Sequence, residues 1–170
     1  MIYNSVDDVF AANDAVRSQL VARVEGLDEV HANASEGGWT VAQIVEHLSI
    51  VEPRITAAIE RMLAPTEGDG HERKPFAPFS LDEYAEQARG KIEAPEVLHP
   101  AALPLSEGLA RLKESRAALE ALRPRFESAD YSPVSKHPAF GMLNAAQWLA
   151  FLGVHEERHM RQIDRILEQQ

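Results

Sequence analysis

Four segments of the chain carry apolar residues at helical spacing, and no segment of comparable length alternates in the way that a β-strand does. Helices of this kind bury their apolar faces against one another, so the pattern predicts an all-α fold, a four-helix bundle. At 170 residues the chain has the size of one domain, and we expect a single domain over residues 1–170. The predicted helices lie at about residues 5–25, 40–63, 105–126 and 144–169.

The connection between the second and third predicted helices, residues 64–104, differs in composition from the rest of the chain. It holds six of the ten prolines, and only residues 80–91 have the pattern of a short capped helix. An unstructured stretch of this length is unusual inside one domain, so we expect a crossover with its own helix or a lid over a site. Pro53 falls inside the second helix, for which we expect one kinked helix.

The formal net charge of −10 and the lack of a basic cluster disfavour binding to nucleic acid or to an anionic membrane surface. No apolar run approaches the roughly 18 residues that a membrane span needs, and no export signal follows Met1, so we expect a cytoplasmic protein. The chain has no cysteine, which excludes disulfides, cysteine-ligated metals and a thiol nucleophile. Any metal ligands must therefore be His, Asp or Glu.

Three histidines fall on the apolar faces of predicted helices. His155 and His159 are four residues apart and project from adjacent turns of one face, and His47 lies on the inner face of the second helix. An unpaired buried polar group costs roughly 1–3 kcal/mol, so each ring needs a partner. The three can converge on one divalent transition metal and leave a coordination position open. The alternative is three separate core histidines, each bonded to a carbonyl or a carboxylate.

The other four histidines lie in predicted turns or in the long connection, and we expect them to be solvated. Two of these, His71 and His99, could still reach the site if the connection folds over it. The four are His31, His71, His99 and His137.

Residues 155–159 read HEERH and satisfy the H-E-x-x-H pattern, in which two histidines bind zinc and the glutamate activates water. The protease interpretation is disfavoured because only eleven residues follow His159, and no substrate-binding sheet is predicted. A di-iron site would need a second Glu-x-x-His pair on another helix, and none of the other predicted helices carries one. We therefore expect a mononuclear site, at which Glu156 acts as a water-positioning base or only forms a surface salt bridge.

The sequence resembles the DinB/YfiT-like superfamily of metal-binding four-helix bundles. The resemblance rests on GWTVAQIVEHL at 38–48, HPAFG at 137–141, AQWL at 146–149 and HEERHMRQI at 155–163. Order and spacing agree over nearly the whole chain apart from the middle connection. The resemblance implies that His47, His155 and His159 bind the metal, with zinc or nickel the usual ions.

The resemblance also implies several chemistries. Some members are S-transferases or isomerases that use a low-molecular-weight thiol, whose sulfur a metal would convert to a thiolate. Others are described as metal-dependent hydrolases, in which Glu156 or Glu46 would act as the base. Arg116 and Arg54 are candidates to hold an anionic small-molecule substrate, and Trp39 is a candidate pocket wall. A third hypothesis is a non-catalytic, metal-stabilised homodimer or binding module.

Overall fold

Four long α-helices make up most of the structure, a computed structural model that describes residues 1–65, 72–82, 94–137 and 140–169. The bundle predicted from the sequence is confirmed. Helix α3 runs through Pro53 as one continuous helix, which confirms that the second predicted segment is a single helix, and the kink at Pro53 stays a prediction. The long helices are α1 (Val6–Val24), α3 (Val41–Met62), α4 (Leu105–Glu120) and α6 (Ala145–Leu167).

Short elements connect the long helices. Two are single helical turns, one is a 3₁₀ turn in the middle connection, and two are antiparallel strand pairs, β1 with β2 and β3 with β4. They are α2 (Glu29–Ala32), α5 (Arg123–Phe126), the 3₁₀ turn Glu96–Leu98, β1 (Ile2–Tyr3), β2 (Phe79–Ser80), β3 (Val134–His137) and β4 (Gly141–Asn144).

Three of the long helices begin with a capping box, in which the N-cap side chain and the third residue of the helix satisfy each other's backbone amides. Each pair can be recognised in the sequence, because it combines a capping side chain with an acceptor three residues later. The pairs are Ser5 with Asp8, Thr40 with Gln43, and Asn144 with Gln147.

The structure differs from the sequence prediction at two places. The third long helix ends at Glu120 rather than near 126, and a separate turn, α5, follows it with Pro124 in its first turn. The hairpin of β3 and β4 was not predicted, because its strands have only four residues and alternate weakly. The helix predicted at 80–91 falls almost entirely outside the described residues.

The apolar core consists of two clusters, and buried polar side chains lie where they meet. On α6 the first cluster includes Leu152 and the second includes Met160, so His155, Glu156 and His159 lie between them. On α3 the boundary falls between Leu48 and Val51, with His47 and Glu52 on either side of it. Arg17 likewise lies between Phe10 and Leu20 on α1, and Arg116 between Leu112 and Leu119 on α4.

Helices α1 and α6 approach closely at Gly153. A Cβ atom built on Gly153 would lie 2.3 Å from the Oδ1 atom of Asn13, whose Nδ2 donates to the carbonyl of Leu149. Gly153→Ala is therefore expected to lower the free energy of unfolding by about 1–3 kcal/mol, the usual cost of overpacking. Gly38→Ala is the matched control, since nothing lies within 4 Å of its Cβ position. Equal urea midpoints for the two variants would contradict this packing.

Within the part of the chain that the structure covers, no helix combines the length and the apolar character needed to traverse a lipid bilayer.

Candidate metal centre

His47 of α3 and the pair His155 and His159 of α6 come together inside the bundle. One ring nitrogen from each residue lies within 4.8 Å of those of the other two. The Nε2 atoms of His47 and His155 are 3.4 Å apart, and the ring centroids of His155 and His159 are 4.6 Å apart. Sequence spacing left open whether the three rings converge or lie apart in the core, and the structure brings them together.

Hydrogen bonds on the far side of two rings determine which nitrogen is free. The Nδ1 of His47 donates to the carbonyl oxygen of Leu98 at 2.8 Å, and the Nδ1 of His159 donates to Oε1 of Gln162 at 3.1 Å. Because carbonyl and amide oxygens only accept, Nδ1 carries the proton and Nε2 keeps its lone pair. Such outer contacts orient metal-ligating histidines and select the ligating nitrogen.

All three imidazoles favour the neutral form that a metal requires. Burial lowers the pKa of His159 to about 3, and it lowers the pKa of His155 well below its usual value, with further lowering by the neighbouring rings. Burial also lowers the pKa of His47, although its hydrogen bond to Leu98 works in the opposite direction. Each of these shifts favours the neutral imidazole, which is the form that binds a metal.

This donor set fits a divalent transition metal. The Nε2 atoms of His47 and His155 face each other at 3.4 Å, and a ring nitrogen of His159 lies close by. A cation can accept a lone pair from all three nitrogens, whereas one shared proton can bridge only two of them. Three imidazole nitrogens suit zinc, nickel, copper or iron and leave coordination positions for another ligand.

The last part of the middle connection packs directly onto the centre. The carboxylate of Glu46 accepts hydrogen bonds from the backbone amides of Ala101 and Leu103, at 2.8 and 2.9 Å. The neighbouring residue, His47, binds the carbonyl of Leu98 in the same segment. Glu46 is buried, and both of its oxygens hold this segment, so these contacts favour a structural role over the predicted role as a base.

Trp39, the candidate pocket wall, lies beside the centre. Its ring centroid is 4.8 Å from that of His47 and 5.6 Å from that of His99. His99 therefore reaches the edge of the site, where its Nε2 donates to the carbonyl of Ala94. His71, the other histidine that could have reached it, lies outside the described residues.

Glu156, the glutamate of the H-E-x-x-H pattern, does not face the histidines' free nitrogens. Both of its oxygens bind arginine: Oε1 accepts from Nε of Arg17, and Oε2 accepts from Arg116 at 3.2 Å. The same arginines bind Glu52, at 2.8 Å in each case. We call this closed set of alternating charges the charge ring; its members are Arg17, Glu52, Arg116 and Glu156.

Burial and ion pairing oppose each other within the charge ring. Burial works to raise the pKa of the Glu52 carboxyl, but the charges of Arg17 and Arg116 outweigh it, and the pKa is lowered. At Glu156 burial is the stronger effect, and the pKa of its carboxyl is raised. Oxygens engaged in this way are poorly placed to take a proton from a substrate, so the contacts favour a structural role for Glu156.

The two arginines predicted to hold substrate have other partners. Arg116 binds Glu52, Glu156 and, at 3.3 Å, Asp14, so carboxylates of the protein itself account for a charged residue in the apolar stripe of α4. Arg54 is exposed and donates to the carbonyls of Ile50 and Val97. Neither guanidinium is directed by these contacts to the three histidines.

Sequence reasoning missed Arg17 and Glu52, although each leaves a signal. Arg17 lies four residues after Asn13 and three before Leu20, both of which are buried on the inner face of α1. An apolar side chain is the usual residue at such a position. Glu52 lies four residues after Leu48 in the stripe of α3. Charged residues at such inward positions indicate buried partners.

His137 was predicted to be solvated, and that prediction is wrong. Its ring stacks on Phe140 at 4.4 Å between centroids and contacts Phe151 and Trp148. Burial lowers its pKa to about 4. The β3–β4 hairpin, which was not anticipated, places the ring against α6.

The fold and the centre define a four-helix bundle with a three-histidine candidate metal site. The family model described as the DinB superfamily matches residues 12–163, and the chain belongs to that superfamily. The resemblance noted in the sequence is thereby confirmed.

Two relatives align over most of the chain. A protein of Geobacillus kaustophilus, provisionally named a metal-dependent hydrolase, is 30% identical over 93% of this chain and 82% of its own length. The Bacillus subtilis protein YuaE is 26% identical over 85% of this chain and 88% of its own.

Two solved structures share the fold. YfiT from Bacillus subtilis, described as a probable metal-dependent hydrolase with an unusual four-helix bundle topology, has a TM-score of 0.65 at 18% identity. The match covers 96% of this chain and 86% of YfiT. The four-helix bundle protein TT2238 has a TM-score of 0.62 at 24% identity, over 95% of this chain and 99% of its own.

Proposed function

We propose that the protein is a metal-dependent enzyme that acts on a small molecule at His47, His155 and His159. The observation that carries the proposal is the convergence of three imidazoles, one ring nitrogen of each lying within 4.8 Å of those of the other two. Zinc or nickel is the proposed ion. When bound there, such an ion supplies a Lewis acid that lowers the pKa of a coordinated water or thiol.

The chain's own residues bind the ion, orient its ligands and restrict the access of water. The carbonyl of Leu98 and the amide of Gln162 hold two of the rings with Nε2 directed inward. Trp39 covers one side of His47, and Phe151 lies 5.7 Å from His155 between ring centroids. These aromatic walls favour an apolar or sulfur-containing reacting group over a strongly hydrated one.

Thiol transfer is the first candidate reaction. Hydrolysis at the centre was expected to use Glu156 or Glu46 as a base, and both carboxylates are engaged by other groups. A low-molecular-weight thiol needs no such base, because the ion itself can lower the pKa of the thiol far enough for the proton to leave to solvent. The protein, which lacks cysteine, supplies no competing thiol.

Metal-dependent hydrolysis is the second candidate. It is favoured by the names given to the Geobacillus relative and to YfiT. In this case the ion would lower the pKa of water without help from a carboxylate in the protein.

The experiment compares conjugation of bacillithiol, mycothiol or glutathione to monochlorobimane with ester hydrolysis, using the same metal-loaded sample. We expect conjugation that is lost with a chelator and in His155→Ala. Hydrolysis alone, with the same dependence, would replace thiol transfer by the second candidate. Absence of both activities, together with a chelator-induced loss of thermal stability, would indicate a binding module that is stabilised by metal.

A further inference from the structure

We propose that the charge ring is the positioning device of the metal centre. In this view Arg17 and Arg116 set the rotation and spacing of the two helices that carry the histidines. The inference rests on the proposed metal centre, because it assigns to the ring the task of aligning that centre's ligands.

The connectivity of the ring carries the inference. Each of the four long helices contributes one member, and each arginine contacts both glutamates. The glutamates come from α3 and α6, the helices that also provide the histidines, whereas the arginines come from α1 and α4, which provide none. The two ligand-bearing helices are therefore held through the same pair of guanidinium groups.

The position of Glu156 links the ring to two ligands at once. It follows His155 directly and precedes His159 by three residues, so it belongs to the helical turn that both ligands share. Successive residues of an α-helix are rotated by about 100°, so fixing the direction of Glu156 also fixes the directions of both histidines. Its side chain is only 3% exposed, and its partners hold both oxygens.

Glu52 links the charge ring to the ligand on α3. It lies five residues after His47, is 2% exposed, and receives further support from the hydroxyl of Ser115, which donates at 2.6 Å. Arg17 also donates to the carbonyl of Leu112, which ties the ring to the backbone of α4. The carboxylates of α3 and α6 would repel each other without the arginines, so the ring determines how these helices pair.

The energetics favour a geometric role. Replacing a buried ion-pair set by well-packed apolar residues is often neutral or stabilising, so the ring is a poor way to increase stability. The planar guanidinium group, in contrast, restricts the directions of its partners more tightly than apolar packing does. The ring also lies where the two apolar clusters meet, in the same part of the bundle as the histidines.

The test compares wild type, Arg17→Lys and Arg123→Lys for zinc affinity, by competition with a chromophoric chelator, and for the visible absorption of bound Co²⁺. Lysine keeps the positive charge of arginine but lacks the planar guanidinium group, which can bind two carboxylates at once. We expect Arg17→Lys to weaken zinc binding about tenfold, the lower end of the roughly 10–100-fold cost of losing a hydrogen bond to a ligand itself, because Arg17 acts on the ligands through Glu156 and Glu52. We also expect it to alter the Co²⁺ spectrum. Arg123→Lys is the matched control, because Arg123 binds more exposed carboxylates, and it should match wild type.

The outcomes separate the two proposals. Wild type that binds neither ion would overturn the metal centre and the inference with it. Wild-type binding with unchanged affinity and spectrum in Arg17→Lys would overturn the inference alone, as would an equal loss in the control. If Arg17→Lys does not fold, Ser115→Ala removes a single hydrogen bond of the ring. A weaker affinity in that variant supports the inference, and an unchanged one refutes it.

Discussion

Purified His47→Ala is expected to contain almost no bound metal while its helical circular dichroism stays close to that of wild type. The substitution removes one of three converging nitrogens, and loss of a direct ligand should exceed the roughly 10–100-fold cost of losing an outer contact. The helix should persist, because alanine has the highest helix propensity and α3 keeps its capping box. Elemental analysis and far-ultraviolet circular dichroism measure the two quantities.

His99→Ala is the matched control for this result. His99 is exposed and lies against Trp39 at the edge of the site, but its ring is not among the three that converge. It should retain the metal content of wild type. Unchanged stoichiometry in His47→Ala would reject the ligand assignment, and equal losses in both variants would indicate that the affected step is folding and not coordination.

Glu52→Gln is expected to lower the free energy of unfolding by about 3–5 kcal/mol, the usual cost of removing one partner from a buried ion pair. The amide keeps the shape of the side chain but leaves Arg17 and Arg116 with a single carboxylate, Glu156, between them. Urea unfolding in the presence of a chelator measures the change, so that metal binding does not contribute to it.

Glu60→Gln makes the same chemical change on the same helix. The carboxylate of Glu60 is exposed and binds Arg125 at 3.2 Å, so its loss should cost about 0–1 kcal/mol. Comparable unfolding free energies for Glu52→Gln and Glu60→Gln would show that the ring is screened by water as a surface pair is.

The long helices and the three histidines could be predicted because their signals are local. Apolar periodicity and capping pairs such as Thr40 with Gln43 lie within a few residues of one another. Two histidines separated by four residues on an apolar face must share that face. The prediction for His47 needed one further assumption, that α3 turns the face carrying His47 toward α6. The structure confirms this assumption.

The charge ring could not be predicted in the same way, because its contacts join residues that are 35 to 139 positions apart. The pairing of each arginine with each glutamate depends on how the four helices are rotated relative to one another. The sequence pattern of a single helix does not indicate that rotation. Glu156 shows the consequence: its motif indicated a base, whereas packing placed it between two arginines. His137 was misjudged for a related reason, since the hairpin that buries it is weakly encoded.

Two consecutive residues of α3 bind the same stretch of chain, residues 98–103. Glu46 accepts hydrogen bonds there through its carboxylate, and His47 donates one through its ring. Once either contact forms, the other partner is held at a high effective concentration, and the second contact needs little additional ordering. The imidazole of His47 is therefore preorganised by protein contacts alone. An ion bound at the proposed centre would meet a ligand that is already oriented, so the entropy of ordering that ring would not be subtracted from its affinity.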